Sequence, residues 1–551
     1  MNLLKALLPA VFLSAVIACG GGGSSSNDSG GGSGGDGGGL SGPGTISGVI
    51  TFDLVPHTSN NALDYNNISQ APVRGATVEL LQASDASVLQ TIVSDESGNY
   101  NFDVADGGNV IVRVKAELKQ TGTASWDFTV VDNTSNDAIY VMDSSTQDVS
   151  GRDVSLNLNA SSGWSGSSYG GTRVAAPFAI LDDVYQSIQK VLSVDSSAQF
   201  PALRLHWSAN NVNTSGSNGD QCVNFDSGQI GTSFYLSSGA CPGIYILGGA
   251  NSDTDEYDDH VIIHEWGHYF EDQFSRTDSL GGQHGGADKL DMRVALGEGY
   301  GNALSGIVTD DPVYRDSFGA AQGQGFSINV ESNPSTNQGW FSESSVQSLL
   351  YDFYDSNNDG SDNLTLGFAP IYQALVNGEK TTNAFTSIFS LANQIKTESP
   401  SNSAAIDSLL ASQNITVADD YGSTETNDGG NADSIPVYKT ATVGGGSVEV
   451  CFNNTNGEYN KLGNRQYIRF DIATNGSYGF TANGQNSGDD PDIVVYQQGA
   501  VSFFSETNGN ETTSQNLNAG SYVMDVYEYA NVDGDTNTSK TTCVDVTIVA
   551  N

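Results

Sequence analysis

The segment His264-Glu265-Trp266-Gly267-His268 puts two imidazoles four residues apart, with a carboxylate beside the first. On a helix, positions i and i+4 stand one above the other on the same face, so both rings can reach one cation. Neutral imidazole nitrogens suit zinc, and H-E-x-x-H is a zinc-binding spacing. Glu265 lies about 100° round the helix from His264. It can therefore take a proton from a water polarised by the metal without ligating the metal itself. The chemistry this pattern supports is hydrolysis, with a peptide carbonyl as a suitable target. Histidine is scarce: the chain has six, and His260, His264, His268 and His284 fall in one short stretch. Val261-Ile262-Ile263 give the expected helix a buried face, and the stretch from Ser252 to Asp259 supplies capping and acidic first-turn residues.

A catalytic zinc takes three protein ligands and keeps a position for water. Glu298, in Ala295-Leu296-Gly297-Glu298-Gly299-Tyr300-Gly301-Asn302, is the candidate for the third. The motif and this segment together resemble the gluzincin metallopeptidases, in which a glutamate on a second helix completes the site. The resemblance implies zinc held by His264, His268 and Glu298, with Glu265 as general base and then general acid. Many gluzincins carry an aspartate four residues after the glutamate, bonded to the first histidine; here that position is Asn302. An amide still accepts from an imidazole N–H, but without charge. The metzincin pattern requires glycine and histidine where this chain has Glu271 and Phe274, so it fails. His284, in Gly281-Gly282-Gln283-His284-Gly285-Gly286, is a spare candidate for the third ligand, and its setting better suits substrate binding or oxyanion stabilisation. His260, one turn before His264, reads as a packing or supporting residue. Gluzincins often add a tyrosine or histidine at the oxyanion, a role open to Tyr351 and Tyr354, which also suit a core at i, i+3 spacing.

The elements that must position these groups follow from periodicity. Phe178, Leu181, Val184, Tyr185, Ile188 and Leu192 recur at helical spacing. Apolar strands are expected around Phe234-Tyr235-Leu236 and Ile244-Tyr245-Ile246-Leu247, with helices around 294–308, 343–355, 368–377 and 382–397. Residues 165–418 thus read as an α+β metallopeptidase-like domain. Before it, residues 45–160 alternate apolar and polar, as in Ile46-Ser47-Gly48-Val49-Ile50, Ala76-Thr77-Val78-Glu79-Leu80 and Val110-Ile111-Val112-Arg113-Val114. Pro72-Val73-Arg74-Gly75-Ala76-Thr77-Val78 and Asp95-Glu96-Ser97-Gly98-Asn99-Tyr100-Asn101-Phe102 resemble the carboxypeptidase regulatory-like β-sandwich, a usually non-catalytic module. Residues 419–438 read as a polar, Gly-rich linker, and residues 439–551 return to alternating strands. There, Asp490-Pro491-Asp492-Ile493-Val494-Val495-Tyr496 and Leu517-Asn518-Ala519-Gly520-Ser521-Tyr522-Val523 resemble the bacterial pre-peptidase C-terminal domain, a second β-sandwich. The expected fold class is multidomain: β-sandwich, α+β, β-sandwich.

The outer features set the compartment. Lys5 precedes the apolar run Ala6 to Ala18, too short to span a bilayer, and Val16-Ile17-Ala18-Cys19 resembles a lipobox. Residues 1–19 are expected to be a lipoprotein signal with Cys19 lipidated, and 20–44 a Gly/Ser tether. By resemblance to diderm lipoproteins, Gly20 after the cysteine implies export to the outer membrane. Four cysteines remain, and an oxidising compartment pairs them most simply as Cys222–Cys241 and Cys451–Cys543, each within one expected domain; other connectivities would tie domains together. A formal charge of -44 with only 20 Lys+Arg argues against a nucleic-acid partner. It fits solubility or salt tolerance, or calcium at some acidic loops. Asp355, Asn357 and Asp359 match the first half of a calcium loop, but its final glutamate is replaced by Leu366. The expected partners are a protein or peptide substrate and a membrane reached through the lipid. The rival expectation is a non-catalytic surface-binding lipoprotein that keeps a peptidase fold.

Overall fold

The computed structural model describes residues 42–333, 336–357, 363–427, 435–532 and 541–551. The signal, Cys19, most of the tether, Asp359 and part of the 419–438 linker lie outside the described residues. Among those described, no helix is long and apolar enough to cross a membrane.

The chain is multidomain and rich in β-structure, with several sheets. The first strand, Gly44–Leu54, pairs antiparallel with Asn99–Val104 and Ser69–Pro72, and parallel with Asp153–Ser155 and Leu158–Ala160. Its Ile46, Ile50 and Phe52 meet Val78, Leu80, Val112 and Val114 from a second sheet, so the alternating residues of both sheets fill one sandwich core.

That second sheet does not stop at the expected boundary near residue 160. Its order runs Phe234–Leu236, Gly243–Ile246, Leu203–Trp207, Trp126–Asp132, Asn109–Gln120, Ala76–Gln82, Val88–Val93. Leu203–Trp207 lies parallel to Trp126–Asp132, with Leu203 opposite Phe128 and Leu205 opposite Val130. A parallel pair needs a long crossover, and the helix Ala176–Leu192 lies within the connection here. The sequence pattern marks each strand but cannot show that two expected modules share one ladder. One apolar cluster accordingly extends from Ile46 through Leu410 and on to Val523.

Ala176–Leu192 packs on Asn109–Gln120 and Trp126–Asp132 on one side and on the helix Asp259–Phe274 on the other. Arg74 reinforces the seam with two 2.7 Å bonds to the Asp182 carboxylate. Asp259–Phe274, the motif helix, in turn packs on Met292–Thr309, the glutamate helix, which packs on Glu343–Tyr354, the buttress helix. Phe368–Gln373 runs on through a π-helical turn, Ala374–Glu379, and Ile388–Glu398 and Ser403–Ser412 complete the helical layer.

Glycine sets the spacing of these helices. A Cβ at Gly267 would lie 3.3 Å from the Gly301 Cα, so motif and glutamate helices touch almost backbone to backbone. A Cβ at Gly299 would meet Val346 Cβ at 2.6 Å and the Glu343 carbonyl at 2.7 Å, leaving no room for alanine against the buttress helix.

The C-terminal unit is a sandwich of a five-stranded and a four-stranded sheet. It has its own apolar core, including Val450, Phe452, Ile468, Phe480, Val495 and Val546. Cys451 and Cys543 face each other across an antiparallel pair and are bonded; Cys222 and Cys241 form the second disulfide. The end of the expected linker is anchored, because Val437 and Tyr438 are buried in the larger core. Between the units lies a buried charge network. Arg293 is 1% exposed and donates to Asp291 at 2.9 Å and to Asp525 of the C-terminal sandwich at 3.1 Å.

Candidate metal centre

The motif helix starts at Asp258, whose side chain does not cap it. Its Oδ1 instead meets His57 Nε2 at 2.7 Å, and its Oδ2 accepts from the Ser317 N–H and hydroxyl at 3.0 and 2.9 Å. The N-terminal sandwich and a hairpin, Val313–Phe318 with Gln324–Asn329, therefore fix the end of the helix that carries the motif. The glutamate helix is capped in the ordinary way, Asp291 Oδ1 accepting from Arg293 N at 3.0 Å.

His264 and His268 lie one turn apart, their Nε2 atoms 3.0 Å from each other. Glu298 Oε2 lies 3.3 Å from His264 Nε2 and 3.4 Å from His268 Nε2. One ligand atom from each residue thus falls within 4.8 Å of the other two. Two imidazole nitrogens and a carboxylate oxygen converging on one point are the donor set that zinc takes, with a side left for water. Glu265, one residue round the helix, is 9% exposed.

The supporting groups fix this geometry. His264 Nδ1 lies 2.9 Å from Asn302 Oδ1. An amide oxygen only accepts, so Nδ1 carries the proton and Nε2 is left with a free lone pair toward the site. Asn302 Nδ2 donates to Gln347 Oε1 at 3.0 Å, which orients the amide. A Cβ at Gly301 would approach His264 Nδ1 to 2.8 Å, so only glycine lets the imidazole lie flat on the glutamate helix.

Electrostatics favours positive charge beside Glu298. Burial acts to raise the Glu298 carboxyl, but the charge of His268 and the hydrogen bonds from His268 and His284 outweigh it and hold the group well below the usual carboxylate range. Burial acts to lower His268, yet Glu298 beside it carries the imidazole up to about 9. The pocket is built around an anionic carboxylate that attracts positive charge.

His284 joins the cluster from its Gly-rich loop. Its Nε2 is 3.1 Å from Glu298 Oε2 and its Nδ1 is 2.8 Å from Glu343 Oε2. It bridges two acids and is bonded to the glutamate. His260 is turned away, its Nε2 3.1 Å from the Asp311 carbonyl.

Tyr351 and Tyr354 stand elsewhere, which corrects their candidacy at the oxyanion. The Tyr354 hydroxyl accepts from Lys190 Nζ at 2.9 Å and donates to Asp310. Tyr351 lies over Gly306, where an added Cβ would meet its ring at 2.8 Å. Gly306 is eight residues beyond Glu298, about 12 Å along the helix axis. The i, i+3 spacing served packing.

Three groups near the site escape sequence reading. Glu343 and Gln347 lie four apart on the buttress helix, 5% and 1% exposed, and their only signal is two polar residues one turn apart, in a helix that has several others. Tyr314, on the hairpin, stands edge-on to His264 with ring centroids 6.4 Å apart, and nothing in the sequence links its strand to the motif. In the suggested calcium loop, Asn357 N donates to Asp355 Oδ2 at 3.0 Å in a local turn, and Asp359 is outside the described residues. A separate group of acids, Asp253, Asp255 and Asp316, converges within 4.8 Å near the hairpin.

Among protein families, the model described as the Mycolysin C-terminal domain matches residues 244–411, under a third of the chain, and spans the motif helix, Glu298 and the buttress helix. This central segment thereby resembles a peptidase-associated domain. No curated protein matches the chain. Among solved structures, the pre-peptidase C-terminal domain of a Bacillus anthracis collagenase aligns at 12% identity over 20% of this chain and 93% of that one, with a TM-score of 0.16. The Aeromonas hydrophila periplasmic inhibitor of g-type lysozyme aligns at 15% identity over 20% of this chain and 98% of that one, with a TM-score of 0.14.

Proposed function

We propose that the chain is a zinc-dependent metallopeptidase of gluzincin type. The observation that carries this reading is the convergence of His264 Nε2, His268 Nε2 and Glu298 Oε2 beside Glu265. When bound, zinc supplies a Lewis acid that polarises water and a peptide carbonyl. His264, His268 and Glu298 are the residues that would hold it. Asn302 keeps the His264 proton on Nδ1 and so presents Nε2 as a donor. Glu265 takes the proton of the attacking water and returns it to the leaving amine, so it acts as base and then as acid. The likeness of residues 244–411 to a mycolysin domain supports a peptidase context. We further propose that the protein is exported and held at the outer membrane through Cys19, as the Val16-Ile17-Ala18-Cys19 pattern suggests; two disulfides suit such a compartment. Its substrate would then be protein or peptide at the envelope.

The test is to incubate zinc-loaded protein with a mixed peptide digest and map cleavages by mass spectrometry, beside Glu265→Gln. New cleavages should appear and fall by about 10²–10⁴ in the variant, the usual contribution of a general base. A wild type that keeps zinc but cleaves no more than the variant would overturn the reading in favour of a surface-binding protein on a peptidase fold.

A further inference from the structure

Four of the six residues in Gly281-Gly282-Gln283-His284-Gly285-Gly286 are glycine. Glycine loses more conformational freedom on ordering than any other residue, so this loop has little tendency of its own to hold His284 in one place. Yet both imidazole nitrogens are engaged, with Glu298 and with Glu343. Something outside the loop must offset the cost of ordering it.

Three consecutive side chains of the C-terminal sandwich do so, from the loop between strands Val448–Phe452 and Arg465–Ile472. The Tyr459 hydroxyl donates to the Leu280 carbonyl at 2.9 Å. Asn460 Nδ2 donates to the carbonyls of Gly281 at 2.7 Å and Gln283 at 3.2 Å. Lys461 Nζ donates to the Gln283 carbonyl and to Asn460 Oδ1, each at 2.6 Å. The main chains add Leu462 N to the Lys289 carbonyl and Asp291 N to the Asn460 carbonyl, each at 2.9 Å. The fit is tight: a Cβ at Gly282 would meet the Tyr459 ring at 2.8 Å. Asn460 is only 1% exposed, so its bonds are made out of reach of competing water.

We infer that the C-terminal sandwich is a working part of the metal centre, with Asn460 as the positioning residue that seats His284 against Glu298. This rests on the reading of Glu298 as a metal ligand. Groups bonded to a ligand fix its direction, and their loss weakens metal binding by about 10–100-fold. His284 stands in that relation to Glu298, and Asn460 acts one step further out, through the backbone.

The experiment compares the full chain with Asn460→Ala, Lys461→Met and Gln498→Ala. The last removes a different bond between the units, Gln498 Nε2 to the Thr381 carbonyl at 3.1 Å, and leaves the loop alone. Hydrogen exchange of amides in 280–289 is measured without metal, and zinc affinity by competition with a chelator. In Asn460→Ala, exchange in this segment should rise at least about tenfold, and zinc should bind about 10–100-fold more weakly. Lys461→Met should move both in the same direction by less, and it serves if Asn460→Ala does not fold. Gln498→Ala should move neither. Unchanged exchange in both loop variants, or an equal change in Gln498→Ala, would overturn the inference. A wild type that binds no zinc would instead sink the reading of Glu298, so the two failures are read from separate measurements.

Discussion

On the proposed reading, Asn302 sets how well His264 serves as a ligand. The amide fixes the tautomer as a carboxylate would, but adds no charge to strengthen the imidazole. Asn302→Ala should weaken zinc by about 10–100-fold in a chelator competition, whereas Asn302→Asp should bind at least as tightly as wild type. Parity of the alanine variant would show that His264 needs no partner. The convergence of His264, His268 and Glu298 was legible in the sequence, because H-E-x-x-H on a helix fixes a geometry. What was hidden came from other elements. Gln347 and Glu343 became partners of Asn302 and His284 only when the helices were packed, and a tyrosine pair at helical spacing looks the same whether it faces a core or a metal.

At the scale of elements, the glutamate helix works because it is thin where its neighbours press on it. Gly299→Ala would force Val346 and the Glu343 carbonyl back. Such overpacking costs about 1–3 kcal/mol, to be read as a drop in stability in urea. Since the buttress helix carries Glu343 and Gln347, zinc affinity should fall with it. The hairpin beside the motif helix holds a different tension. Burial, with Asp258 and Asp253 nearby, pushes the Asp316 carboxyl up to about 8, and burial lifts Asp253 to about 6. A carboxyl whose folded pKa exceeds its unfolded value stabilises at low pH and loses that contribution as pH rises through the folded value. Asp316→Asn should therefore gain stability relative to wild type between pH 5 and pH 8, measured by thermal unfolding at each pH; a pH-independent difference would show that the acid is not strained. The sequence displayed these acids but not their convergence, because Asp253 and Asp316 meet through strand pairing over a long separation. Ser403–Ser412 was likewise not anticipated: its small and polar residues give a weak apolar stripe, and packing of Ile406, Leu409 and Leu410 forms the helix.

At the scale of the molecule, three expected modules are fewer independent bodies than the sequence suggests. Alternation and turn signals marked the strands of both sandwiches, but they do not tell which strand lies beside which. The parallel pairing of Leu203–Trp207 with Trp126–Asp132 makes the N-terminal sandwich and the centre share a sheet. Arg293 joins the centre to the C-terminal sandwich. Arg293→Ala would leave Asp291 and Asp525 buried with less compensation, and removing one partner of a buried ion pair costs about 3–5 kcal/mol. The loss should appear as a lower unfolding midpoint for the whole chain; separate transitions for the two units, with only the second shifted, would mean that they fold without reference to each other.

The C-terminal sandwich is closed by Thr542–Ala550, the last of the described strands, which lies between Val448–Phe452 and Gly476–Gly484. Synthesis delivers His264 and Glu265 long before that strand exists. If Asn460 must sit in a finished sandwich to seat His284, the order of translation becomes a timer. On that condition a nascent chain carries the motif before the setting that seats His284, which is complete only once Thr542–Ala550 has been made and paired.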